Sequence, residues 1–264
     1  MSESVNAEES VTFSQPLAHV GLVTINRPAA RNAIDGAVTQ RLESLVSQLE
    51  SDPDIWVVVL TGAGEKAFCA GADLREIAAG RERTIWTRAG GFAGFVKATR
   101  HKPWIAAVNG AALAGGMEIA LACDMIVASA DAQFGLPEAR RGLAAIAGGL
   151  FRLVRTLPPK IAIELIATGR SMTAEEAARW GLVNYVVERG QAVERALQLA
   201  AEVTASAPLA VRSSLRVARQ AFDLAEDELF RLGMELAKEL AITEDFKEGP
   251  RAFIEKRAPR WTGR

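Results

Sequence analysis

Cysteine and histidine are nearly missing from this chain of 264 residues, which has two of each. Cys69 and Cys123 cannot build a disulfide scaffold or a cysteine-rich zinc site, and so low a count fits a reducing, cytoplasmic setting. His19 and His101 leave little material for a histidine metal cluster. Neither sign of charge dominates, since 31 basic and 32 acidic residues give a formal net charge of -1. That balance provides no general attraction for nucleic acid or for a membrane surface. The longest apolar stretch, Trp104 to Ala130, is interrupted by Asn109, Glu118 and Asp124 and so fails as a membrane span. The opening MSESVNAEES has neither the basic nor the apolar region of a secretory signal. No fixed-period repeat or low-complexity segment is visible.

What is present is an ordinary globular composition, 49% apolar and 24% charged. The length fits one large domain or two small ones. A chain of this size buries roughly 70–75% of its unfolded surface and needs no metal or disulfide staple. Residues 1–15 are expected to form a disordered tail, 16–190 a core, and 191–264 a helical region for association.

Within the core, Val20 to Ile25 is β-branched and stops at Asn26-Arg27-Pro28. Val38, Leu42, Leu45 and Leu49 recur at helical spacing and end at Ser51-Asp52-Pro53. Ile55 to Leu60 and Trp104 to Val108 are continuous apolar runs that read as buried strands, with a shorter one at Met125 to Ala128. Thr173 and Glu176 form a capping-box pair for a helix that Gly181 closes. Gln191 to Ser206 and Pro208 to Leu240 are helical in pattern. Strands alternating with helices make the fold class α/β.

Two familiar signatures are excluded. Gly62-Ala63-Gly64 with Ala67 fits a loose dinucleotide pattern, but neither a helix nor an acidic residue closing a second strand follows it. The G-x-S-x-G elbow of serine hydrolases is missing altogether. More informative are two small-residue turns that follow two buried strands, Ala70-Gly71-Ala72-Asp73 and Ala114-Gly115-Gly116. Small residues admit a ligand close to backbone N–H groups, and free N–H groups at a helix start suit a developing oxyanion. Tight helix–strand packing explains either turn alone equally well. Glu118 and Glu138 both sit in apolar sequence, where a carboxylate is costly unless paired, hydrogen-bonded or protonated. Structural roles are open to both, Glu118 satisfying nearby backbone and Glu138 capping a helix after Pro137. Together beside an oxyanion hole they would supply one general base and one general acid. Asp124 reads as structural, and Asp73 as a cap that fixes its loop. Trp86, Phe92 and Phe95, within Arg75 to Arg100, fit either an acyl-pocket cover or core.

The segments NRPAARNAI (26–34), AFCAGADL (67–74), NGAALAGGMEIALACD (109–124), FGLPEARRGL (134–143) and EGPRAFIEKR (248–257) resemble, in order, the enoyl-CoA hydratase/isomerase, or crotonase, superfamily. The tail and AGGLFRL (147–153) are similar to its bacterial carnitinyl-CoA dehydratase type. The resemblance implies a β-sheet spiral of ββα units with a C-terminal helical trimerisation region, assembled as a homotrimer or a hexamer. It implies oxyanion donors at the Ala72 and Gly115 N–H groups and catalytic carboxylates at Glu118 and Glu138. Ala29, Ala30, Arg31, Ala70, Asp73, Leu74, Phe253 and Lys256 match positions near coenzyme A or the acyl group. An acyl-CoA thioester is the implied substrate, with no separate cofactor, metal, nucleic-acid partner or membrane. The chain departs from the family at Ala114, where glycine is frequent, and at Leu143 to Ile146, where a proline is frequent. The second departure bears on acyl specificity.

Overall fold

The computed structural model describes residues 10–264. Its framework is a six-stranded sheet in the order β1(Val11–Leu17)-β2(Val20–Ile25)-β3(Val57–Gly62)-β7(Trp104–Val108)-β9(Met125–Ser129)-β12(Tyr185–Val187). Only the β1/β2 hairpin is antiparallel; the other pairs are parallel. A four-stranded sheet, ordered β11(Ser171–Thr173)-β10(Gln133–Gly135)-β8(Ala111–Leu113)-β4(Ala67–Cys69), accompanies it. A short hairpin pairs β5(Trp86–Thr87) with β6(Gly91–Phe92).

Side-chain alternation explains why β3 and β7 read as unbroken apolar runs. Val58, Leu60, Ala106 and Val108 face the main core, which includes Phe68, Ala112 and Phe134 of the small sheet. Val57, Val59, Ile105 and Ala107 face the other way, onto Ala196, Leu199 and Ala200 of helix α7(Ala192–Thr204). The expected helix at Val38 to Leu49 is α1(Gly36–Ser51), which buries Val38, Leu42, Leu45 and Leu49. The Asp35 carboxylate accepts the Val38 N–H at its start.

The chain repeatedly lays one strand in the large sheet, the next in the small sheet, and then turns into helix. β3, β4 and α2(Leu74–Ala78) form one such unit; β7, β8 and α3(Gly115–Ala122) form the next. β9 and β10 lead into a 3₁₀ turn at Pro137–Arg141 and then α4(Gly149–Thr156), α5(Pro159–Thr168) and α6(Ala174–Arg179). This is the expected spiral of ββα units. At α6, the Thr173 hydroxyl accepts the Glu176 N–H, while the Glu176 carboxylate pairs with Arg170 rather than returning to close a capping box.

Three expectations need revision. The expected disordered tail over residues 1–15 meets a strand at Val11–Leu17, because Val11 is buried and pairs with Ile25; residues 1–9 of that tail lie outside the described residues. Helix α7 packs on the large sheet, so the core extends past residue 190. The Pro208 to Leu240 pattern divides into α8(Pro208–Ala218) and α9(Glu226–Ala241), followed by α10(Glu244–Glu255). Among the described residues no helix is long and apolar enough to cross a membrane.

Candidate active site

Strand order in the small sheet brings the candidate residues together. β8 is flanked by β4 and β10, both parallel to it, so the chain leaves all three strands at one edge. The turn after β4 carries Ala72, the turn after β8 carries Gly115, and the turn after β10 carries Glu138. Contact between the first two turns is close. A Cβ built on Gly71 would lie 2.9 Å from both the Ala114 Cβ and the Gly115 nitrogen, and the Gly71 φ is +89°. Only glycine tolerates that backbone and that spacing. Gly115 is closely hemmed too: a Cβ there would lie 2.4 Å from the Phe92 ring and 3.4 Å from the Gly71 Cα.

Parallel pairing aims the Ala72 N–H. Residues 31–34 run beside 70–73: Ala70 N–H donates to Arg31, Ile34 N–H to Gly71, and Asp73 N–H to Ile34. The intervening Ala72 N–H therefore points to the opposite side. Among the described residues, neither it nor the Gly115 N–H, the first of α3, is taken by another group. Ala114 opens α3 with φ +53° and ψ -128°, a strained conformation for alanine. Its N–H donates to Gly135 at 2.9 Å and ties the β8 turn to β10.

Glu118 lies one turn into α3 and is only 3% exposed. Its Oε1 accepts the Gly149 N–H at 2.9 Å, at the start of α4. Burial pushes the Glu118 carboxyl up to about 7. The Gly149 N–H opposes that rise, the neighbouring Glu138 carboxylate adds to it, and the Ala147 backbone and Arg152 oppose it further. Glu138, on the 3₁₀ turn, is buried, and its Oε2 has no hydrogen-bond partner among the described residues. Burial raises its pKa as well, with Arg141 among the opposing influences. The two carboxyls differ in support: one oxygen of Glu118 is anchored, and one of Glu138 is unclaimed.

The neighbouring loop is held by a polar frame. Buried Asn32 donates to the carbonyls of Ala63 and Ala67 and accepts the Arg27 N–H. The Arg27 guanidinium bridges Asp73 and Asp35, each at 3.0 Å. Asp73 also accepts the Arg75 N–H at the start of α2, so its carboxylate is the expected cap. Ala29, Arg31 and Leu74 are exposed beside this frame, and Ala30 and Ala70 are half-buried. Phe253 and Lys256 are exposed at the end of α10. Asp124 is structural: Arg219 grips it bidentately at 2.8 and 2.7 Å, and it accepts the Trp104 N–H. Gly62 ends β3 and leads into a turn and β4 rather than a helix, so no dinucleotide cradle forms there.

Residues 16–264 match the enoyl-CoA hydratase/isomerase family. The chain belongs to that family. It is an enzyme of the crotonase type. The chain is 42% identical over 247 residues to a carnitinyl-CoA dehydratase from Proteus mirabilis, covering 92% of this chain and 94% of that one. It is 41% identical over 252 residues to a mevalonyl-coenzyme A hydratase from Aspergillus fumigatus, covering 94% and 93%. The crystal structure of an enoyl-CoA hydratase from Mycobacterium tuberculosis H37Rv superposes with a TM-score of 0.93 at 43% identity, over 97% of this chain and 100% of that one.

Three contributors to the site have roles that their residue type does not announce. Gly149 acts through a backbone N–H, which any residue type possesses. Arg152 reaches the Val96 carbonyl at 2.6 Å from a position remote in sequence. Phe92 is 3% exposed and Phe95 fully buried, so both are core, yet Phe92 also forms a wall against Gly115. Trp86 meets the Phe92 ring edge-on at 5.6 Å and is 37% exposed. Among the described residues no group of three or more His, Cys, Asp or Glu could hold a metal ion.

Proposed function

We propose that this enzyme adds water reversibly across the α,β double bond of a 2-enoyl-CoA thioester to give the 3-hydroxyacyl-CoA. The observation that carries the reading is the placing of two buried carboxyls and two N–H groups, free among the described residues, at one edge of the small sheet. Glu118 takes a proton from water as the water oxygen bonds to Cβ. The π electron pair moves onto the thioester oxygen, and the Ala72 and Gly115 N–H groups hold the resulting enolate. One such donor is worth about 3 kcal/mol of transition-state stabilisation. Glu138 then delivers a proton to Cα, and proton exchange resets the pair. The anchored oxygen of Glu118 suits a base, and the unclaimed Oε2 of Glu138 suits an acid that must present its proton.

The coenzyme A handle lies along Ala29, Ala30 and Arg31 and the facing Ala70, Asp73 and Leu74, the Asp73 carboxylate serving the loop rather than the ligand. Phe253 and Lys256 complete a handle site on a neighbouring subunit. Binding energy from the remote nucleotide positions the acyl group. Phe222, Phe230 and Met234, at 73%, 67% and 62% exposure, make the apolar face that association into a trimer or hexamer would cover. Leu199, inside the 191–264 region expected to serve association, lies in the core. The reaction needs no separate cofactor, metal or nucleic acid, and the enzyme works in the cytoplasm.

A panel of 2-enoyl-CoA thioesters, from crotonyl-CoA to long chains and including the dehydrated carnitinyl thioester, tests this reading. Hydration, seen as loss of the enoyl absorbance with appearance of the 3-hydroxy product, is the expected result. The 42% identity to a carnitinyl-CoA dehydratase favours one second reading, in which the trimethylammonium-bearing thioester is the preferred member of the panel. No turnover of any member would replace both readings with a noncatalytic acyl-CoA-binding scaffold.

A further inference from the structure

The approach of α4 to α3 is built around a missing side chain. A Cβ on Gly149 would lie 2.9 Å from the Ala145 Cβ, 3.0 Å from Leu136 Cδ1 and 3.1 Å from Glu118 Oε1. Gly148 precedes it at φ +116°, a backbone that favours glycine. The glycine pair lets the first N–H of α4 arrive within 2.9 Å of a carboxylate oxygen that is otherwise buried. Arg152 sits one turn along the same helix, with its guanidinium held by the Val96 and Ala147 carbonyls. The charges acting on Glu118 are therefore Arg152 on α4 and Glu138 on the 137–141 turn. Strands β4 and β8, which also pack against α3, bring Ala67, Phe68, Cys69, Ala111, Ala112 and Leu113. Of these only Cys69 can ionise, and burial keeps its thiol neutral by pushing it up to about 12.

We infer that Gly149 is a positioning residue for the hydration step: its N–H fixes Oε1 of Glu118, leaves the other oxygen to meet water, and favours the ionised carboxylate. This rests on the proposed hydratase reading. The N–H lies at the positive end of α4, where a donor and the helix dipole act in the same direction on an anion. An unsupported carboxylate in that apolar seat would remain protonated to higher pH.

The decisive variant replaces one backbone N–H by an oxygen. Glycolic acid in place of Gly149 turns the 148–149 amide into an ester, which removes the N–H while adding no side chain. The pH dependence of kcat/KM for crotonyl-CoA is then compared with that of the unmodified enzyme. Loss of a donor to the anion raises the pKa of the base, so the acid limb should move up by about 1 pH unit. kcat at neutral pH should fall on the order of 10-fold, with KM nearly unchanged. Gly149→Ala keeps the N–H but presses a methyl towards Oε1, so it should lower kcat and move the acid limb less than the ester does. An ester variant that is folded and active with an unmoved acid limb would overturn the role of Gly149. An unmodified enzyme that hydrates no enoyl-CoA would instead overturn the reaction on which it rests.

Discussion

Gly71→Ala probes the contact that sets the two oxyanion donors side by side. The added methyl would stand 2.9 Å from the Ala114 Cβ, 2.9 Å from the Gly115 nitrogen and 3.2 Å from the Leu113 oxygen. Two of those atoms are backbone, so no flexible side chain can swing away. An alanine at φ +89° costs about 1–2 kcal/mol in backbone strain, and overpacking a filled site adds about 1–3 kcal/mol. A loss of about 2–5 kcal/mol in urea unfolding follows. Because relief requires the two turns to separate, the donors no longer converge, and kcat should drop on the order of 10²-fold. Adding Ala114→Gly to Gly71→Ala removes the Cβ–Cβ clash and the strain at φ +53°, and should recover about 1 kcal/mol beyond additivity. A Gly71→Ala enzyme with unchanged kcat and stability within about 0.5 kcal/mol of the parent would refute the geometry.

Other consequences are open to direct measurement. The pKa of Glu118, raised from 4.5 to about 7 in the fold, means that the folded state retains a proton the unfolded chain has lost. Stability therefore falls as pH rises from the unfolded value to the folded one, and is level above it. Glu118→Gln should accordingly raise thermal stability relative to the parent at pH 8, on the order of 3 kcal/mol, and leave it nearly equal at pH 4; a pH-independent difference counts against the burial cost. Arg219→Met breaks the bidentate grip on Asp124 and should cost about 2 kcal/mol in chemical denaturation; a neutral result would mean that the latch is idle. Lys256→Glu should raise KM for acyl-CoA while sparing acyl-pantetheine, which lacks the nucleotide, and equal losses on both would remove the phosphate role.

Much of the large sheet was legible because its strands carry long β-branched or apolar runs covered on both faces. The small sheet was not, since β4, β8 and β10 are three residues each and leave no periodicity to detect. β1 was hidden by Ser14, Gln15 and Pro16, residues that a half-exposed edge strand tolerates. The glutamates stood out as carboxylates in apolar sequence, and the donor turns as clusters of small residues. Their convergence depends on strand order, which local sequence does not encode. The structural reading of Asp124 could be made from its junction position, but its partner Arg219 lies 95 residues away. Gly149 was legible only as part of a family-like stretch, because the group it contributes belongs to the backbone.

The division of labour between the two carboxyls is the central claim, and steady-state hydration of crotonyl-CoA by Glu118→Gln and Glu138→Gln tests it most directly. Each substitution preserves shape and removes one acid/base, so each should lower kcat on the order of 10²–10⁴-fold with KM nearly unchanged. If Glu118→Gln retains near-normal turnover while Glu138→Gln is inactive, the two-carboxylate account is contradicted and a one-base isomerisation takes its place.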